Sequence, residues 1–152
     1  KHILLIIREI INFEPDNKAT NIDCALHFMT EAIKKKCAAF LISDFIDDGD
    51  YSKSMTIANR KHDLTAIQVY DKRDSKMPDV GLVRVVDSET GKEMWIDTSS
   101  KRVRQLYDKA WYERQQRLYS ITAKSGVDIA SVATDEDYVK SLLGLFKKRS
   151  IH

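Results

Sequence analysis

Cysteine, proline and glycine are scarce: two Cys, two Pro and five Gly stand among 152 residues. So little Gly and Pro leaves no room for a flexible linker or a low-complexity tract. Cys24 and Cys37 fit no close-spaced metal or redox motif, which points to a reducing compartment and predicts a cytoplasmic protein. Long apolar runs are missing too. No run in the sequence is long enough to span a bilayer, and the run 3–7 is ended by Arg8 and Glu9. No small-residue cleavage site follows it, so no signal peptide is expected. An excess of one charge is absent as well. Twenty-five basic side chains face 23 acidic ones, a net +2, which argues against a dedicated nucleic-acid binder. His2, His62 and His152 have no other His or Cys three to five residues away, and His27, three residues from Cys24, makes no ligand-like pattern, so no zinc site is expected.

What is present is globular. Hydrophobic residues make up 43% and charged residues 32%, in a chain long enough to bury one core, so residues 1–152 are read within a single domain. Leu4, Leu5, Ile7, Ile10 and Ile11 give residues 3–12 a wide apolar helical stripe, broken by Pro15 and residues 16–18. A second helix is predicted over 21–36, with Thr20 and Asp23 as a capping box. Residues 38–43 are apolar without alternation, which predicts a strand covered on both faces, as in a parallel sheet. An acidic loop, 44–50, follows. A helix over 52–60 and a strand over 64–70 come next.

Residues 82–87 and 93–97 are β-like around the turn chemistry of 88–91, which predicts an inserted hairpin near 82–97. A long helix over 100–124 should turn Val103, Leu106, Tyr107, Ala110, Trp111, Leu118 and Ile121 inward and stop at Gly126. A strand over 127–132 and a helix capped by Thr134 and Asp137 complete the order. Strands separated by helices predict an open, mostly parallel α/β sheet with helices on both faces. The chain opens on a helix with no strand before it, which predicts the later part of a larger domain.

Ligands of such sheets sit beyond the carboxyl ends of the strands. Asp44 directly follows the strand 38–43, and Thr20 opens the preceding helix. A carboxylate and a hydroxyl on neighbouring loops are hard donors suited to Mg²⁺ or Mn²⁺, although from these two residues alone a cap and a turn residue are the simpler account. The acidic run is no EF-hand, because Ile46 and Met55 would fall at ligand positions three and twelve. Asp50, Ser52 and Ser54 form an Asp-x-Ser-x-Ser string, but at a helix start after an acidic loop, where capping explains it. His62 reads as a structural hydrogen-bonding residue, and Cys24 and Cys37 as small packing residues. The helix 101–124 carries seven basic against two acidic residues, with Tyr107, Trp111, Tyr112 and Tyr119 interleaved. Its basic face could meet a phosphate backbone, against the plainer reading of a solvated face. The cluster 147–149 should favour a helix C-terminus.

Residues 18–26 (KATNIDCAL) and 40–45 (FLISDF) resemble two successive blocks of a von Willebrand factor A-like domain. More narrowly, the chain is similar to a bacterial family of such proteins encoded beside MoxR-type AAA+ ATPases. Residues 60–64, 77–81, 87–91, 97–100 and 134–139 carry further blocks of the likeness in order. The resemblance implies a Rossmann-like open sheet with a metal-ion-dependent adhesion site on its rim. Thr20 would be its threonine ligand, and Asp44 the aspartate that holds Mg²⁺ or Mn²⁺ through water. The family's Asp-x-Ser-x-Ser block and its strand would precede residue 1, which leaves this site incomplete. The resemblance further implies a non-enzymatic protein-binding adaptor whose partner is the ATPase or its client. The alternatives are a nucleic-acid module using helix 101–124 and a metal-dependent phosphoryl hydrolase using Asp44 and Asp47. The missing strand also predicts a homodimer through the exposed edge of strand 38–43.

Overall fold

Three parallel strands form the sheet, and each is brought back alongside its neighbour by a helix. The computed structural model describes residues 2–14, 19–86 and 91–149. The predicted break at 15–18 and the hairpin turn at 88–90 lie outside them. The elements run α1 (His2–Asn12), α2 (Ile22–Ala32), β1 (Ala38–Ser43), α3 (Ser52–Lys61), β2 (Asp63–Tyr70), α4 (Lys72–Ser75), β3 (Leu82–Val86), β4 (Glu93–Asp97), α5 (Lys101–Ser125), β5 (Asp128–Ala133) and α6 (Tyr138–Arg149). The sheet order is β1-β2-β5, all parallel, and β3 and β4 form a separate antiparallel hairpin. The α/β class, the parallel sheet and the inserted hairpin are as the sequence predicts.

Register sorts the side chains onto two faces. Leu41, Ala66 and Ile129 lie abreast on one face. There they meet Leu26 of α2, Met55 and Ala58 of α3, and Leu118 and Ile121 of α5 in one buried cluster. Phe40 and Thr65 lie abreast on the other, beneath α6. Phe146 of α6 meets Phe40 edge to face, with ring centroids 6.3 Å apart. Arg149 donates to Thr65 Oγ1 and to the Asp63 carboxylate, and its Nε stands 3.4 Å from Asp128 Oδ2. Lys148 and Arg149, in the last turn of α6, thus also meet acidic residues that start β2 and β5.

Several expectations are corrected. The run 38–43 is not covered on both faces. Its burial alternates, because β1 is an edge strand, and Ile42 stays 64% exposed. Helix α2 ends at Ala32 instead of 36, where Ile33 takes up extended backbone. Its cap is Asn21, whose Oδ1 accepts the N–H of Cys24 at 2.8 Å, and not Thr20. Asp23 instead accepts the hydroxyl of the buried Ser54 in α3, so the expected capping box is a tie between helices. Only Leu118 and Ile121 of the apolar set predicted for α5 are fully buried, and Leu106 is largely exposed. No residue of α1 is buried. Asp137, without a bond from Thr134, takes the N–H of Val139 at the start of α6.

Gly126 ends α5 as predicted, with φ +66°. Its N–H reaches Ala123 O, and Asn59 Nδ2 reaches its carbonyl at 2.9 Å. A Cβ would meet only Asn59 at an ordinary 3.5 Å, so the cost of Gly126→Ala is conformational. Left-handed backbone disfavours an L side chain by about 1–2 kcal/mol. We expect chemical denaturation of Gly126→Ala to show a loss of that size with an unchanged m-value.

Candidate functional site

The loop 44–50 leaves the carboxyl end of β1, where ligands of parallel sheets are held. Its backbone is set by short side chains. Ser43 Oγ accepts the N–H of Phe45 at 3.0 Å, and Asp44 Oδ1 accepts that of Ile46 at 3.0 Å. These bonds hold Phe45 at φ +58°, a left-handed conformation that a bulky residue adopts only at a cost of about 1–3 kcal/mol. Burial of the Phe45 ring beside Tyr51, with centroids 6.5 Å apart, offsets it.

Two longer ties hold the loop. Asp47 Oδ2 accepts the N–H of Ile22, the first residue of α2, at 2.8 Å, and its Oδ1 accepts Gly49 N–H at 2.7 Å. From α5, the Arg117 guanidinium donates to the carbonyls of Asp47, Asp48 and Gly49, at 3.2 Å to Asp48. At the loop's end Asp50 Oδ1 accepts both the N–H of Ser52, at 3.1 Å, and its hydroxyl, at 2.6 Å. Those bonds lower the Asp50 pKa from its usual value, the hydroxyl having the larger effect. Burial raises that of the neighbouring Tyr51 hydroxyl.

The Asp47–Ile22 bond brings the segment carrying Thr20 against the loop carrying Asp44. Asp44 is exposed at the head of that loop, and Thr20 is half-buried one residue before the α2 cap. Asp47 has both oxygens on backbone N–H groups, which gives it a structural role in the loop. Among the described residues, no group of three or more His, Cys, Asp or Glu side chains is placed to hold a metal ion. One hydroxyl and one carboxylate would supply two of the six oxygens around Mg²⁺, so these two donors alone do not build the full site that the resemblance implies.

The sequence reading missed Phe45 and Arg117, and no local pattern announces either. It also missed a pair at the opposite end of the sheet. Cys37 Sγ lies 3.4 Å from Nδ1 of His62. His62 is 1% exposed, and its Nε2 is buried with no hydrogen-bond partner among the described residues. Parallel register explains the meeting. Ala38 stands abreast of Asp63, so the residues just before the two strands are neighbours, and Asp63 N–H bonds to Cys37 O at 2.8 Å. The basic helix α5, meanwhile, uses Arg117 on the acidic loop and Arg104 on Asp79, at 2.9 Å. That removes two cations from its supposed phosphate-binding face.

A family model described as "Protein of unknown function DUF58" matches residues 1–117. An uncharacterised protein of Mycobacterium avium is 28% identical over 118 residues, which cover 76% of this chain and 68% of that protein. Uncharacterised proteins of Mycobacterium bovis and Mycobacterium tuberculosis are 26% identical over 118 residues, and there the match spans only 36% of the relative's length. Among solved structures, the conserved hypothetical protein BatB from Bacteroides thetaiotaomicron superposes with a TM-score of 0.54 at 12% identity, over 98% of this chain and 70% of that one. At such identity the likeness shows a shared fold and nothing finer. Among the described residues no helix is long and apolar enough to cross a membrane.

Proposed function

We propose that this chain, which belongs to the DUF58 family, is part of a non-enzymatic, von Willebrand A-like protein-binding adaptor. The observation that supports this reading is the loop 44–50. It is fixed from α2, from α5 and from the core, yet Asp44 and Asp48 remain exposed on it. A loop already ordered before contact spends little conformational entropy on binding, which favours recognition of another protein's surface. The partner proposed is a MoxR-type AAA+ ATPase or its client, in the cytoplasm. Thr20 and Asp44 are the two positions that would join a Mg²⁺ or Mn²⁺ site in the intact domain. A second copy of the chain is proposed to pair along the open edge of β1.

Interferometry with an immobilised MoxR-type ATPase tests the reading. The chain should bind, and Asp44→Ala should weaken binding at least about tenfold, or about 1.4 kcal/mol. Asp44 is exposed, but its Oδ1 also holds the N–H of Ile46 beside the buried Phe45, so the loss of binding should come with an unchanged melting midpoint. Binding that is absent, or that is indifferent to Asp44→Ala, would overturn the proposal.

A further inference from the structure

We infer that Cys37 and His62 form a thiol-modification site, in which His62 takes the proton from Cys37 and the sulfur attacks an anionic low-molecular-weight disulfide. The distance of 3.4 Å between Sγ and Nδ1 is within reach for proton transfer along an S–H···N contact. The imidazole cannot turn away. Its backbone N–H is tied to Ala58 O at 2.8 Å at the end of α3, and its ring is buried. With the ring proton on Nε2, the Nδ1 lone pair faces the thiol.

The unpartnered Nε2 bears on the chemistry. A lasting imidazolium would keep a charged N–H buried without an acceptor, which is costly. Charge separation in the step proposed is therefore brief. In the step proposed, the S–H proton moves to His62 Nδ1. The Cys37 sulfur bonds to one disulfide sulfur, the S–S bond breaks, and the leaving thiolate takes the proton back from His62. One mixed disulfide and one thiol result. Cys37 is oxidised to the disulfide level, half of the small disulfide is reduced, and His62 returns neutral. The anionic preference follows from Lys34, Lys35 and Lys36, three exposed cations immediately before Cys37.

The chain supplies its own control. Cys24 is more exposed than Cys37, and no imidazole bonds to it among the described residues. Exposure alone would make Cys24 react first. Site-resolved mass spectrometry during labelling with the anionic reagent 5,5′-dithiobis(2-nitrobenzoate) should instead show Cys37 labelled about tenfold faster than Cys24. The ratio of Cys37 to Cys24 labelling should be smaller with the cationic disulfide cystamine than with the anionic reagent. His62→Gln should slow Cys37 at least tenfold while leaving Cys24 unchanged. Should that variant fail to fold, the Cys37-to-Cys24 ratio in the unaltered chain decides alone. A ratio at or below one, or a Cys37 rate unmoved in a folded His62→Gln chain, would overturn the assignment.

Discussion

Met55→Ala is expected to lower the free energy of unfolding by about 2–5 kcal/mol, read from urea melts at constant m-value. Met55 is fully buried in the cluster that joins α3 to the sheet and to α2 and α5. Removing most of its side chain forfeits the transfer energy and leaves a cavity that helices tied at both ends cannot collapse into. Those ties are visible on α3: Ser54 bonds to Asp23 of α2, and Asn59 bonds to the carbonyls of Ser125 and Gly126. Against a total stability of about 5–15 kcal/mol, such a loss brings a small domain near its threshold. Met94→Ala is the matched control. It makes the same chemical change on β4, where Met94 is 59% exposed, and should cost under about 0.5 kcal/mol. Equal effects at the two positions would mean that the core is not where these residues place it.

The sheet was legible because β2 and β5 are apolar runs bounded by helices, and only one class of fold accommodates that alternation. The covering of β1 was not. A run such as residues 38–43 reads the same whether one face or two are covered, and only strand order decides. Helix α5 misled for a related reason. Its apolar residues recur along the helix, but only Leu118 and Ile121 of its C-terminal half enter the buried cluster, while Trp111 meets Tyr70 at the end of β2 without being fully buried. The one-residue shift from Thr20 to Asn21 reflects two adjacent residues with nearly equal capping ability. Helix α4 went unread although Asp71 and Asp74 make a reciprocal capping box around it. As for the site, the rim position of Asp44 follows from the strand before it. The grip of Arg117 spans about seventy residues of sequence and leaves no local trace. Cys37 and His62 lay within reach of inference, since each stands immediately before one of two strands that had to be neighbours.

Size-exclusion chromatography with light scattering is expected to give twice the mass of one chain, falling to a single mass on Ile42→Lys. Among the described residues β1 pairs only with β2, so its other edge carries unpaired backbone groups over six residues, about 20 Å of strand. The side chains along that edge are not those of a protected one. Natural edges are blunted with lysine, proline or a bulge, whereas residues 38–43 read Ala-Ala-Phe-Leu-Ile-Ser. Phe40 and Ile42 are 49% and 64% exposed on the face beside α6, and α1 leaves Ile3, Leu4, Ile10 and Ile11 more than 70% exposed. Burying a large aliphatic or aromatic side chain is worth about 1.5–3 kcal/mol, so a few of these residues closing together with the strand edge suffice for association at micromolar concentration. Lysine at position 42 would place a charge in the middle of that contact. Because Ile42 is already exposed, the variant should keep the melting midpoint of the monomer. A single-mass species for the unaltered chain across micromolar concentrations, or a dimer that survives Ile42→Lys, would remove β1 as the pairing edge.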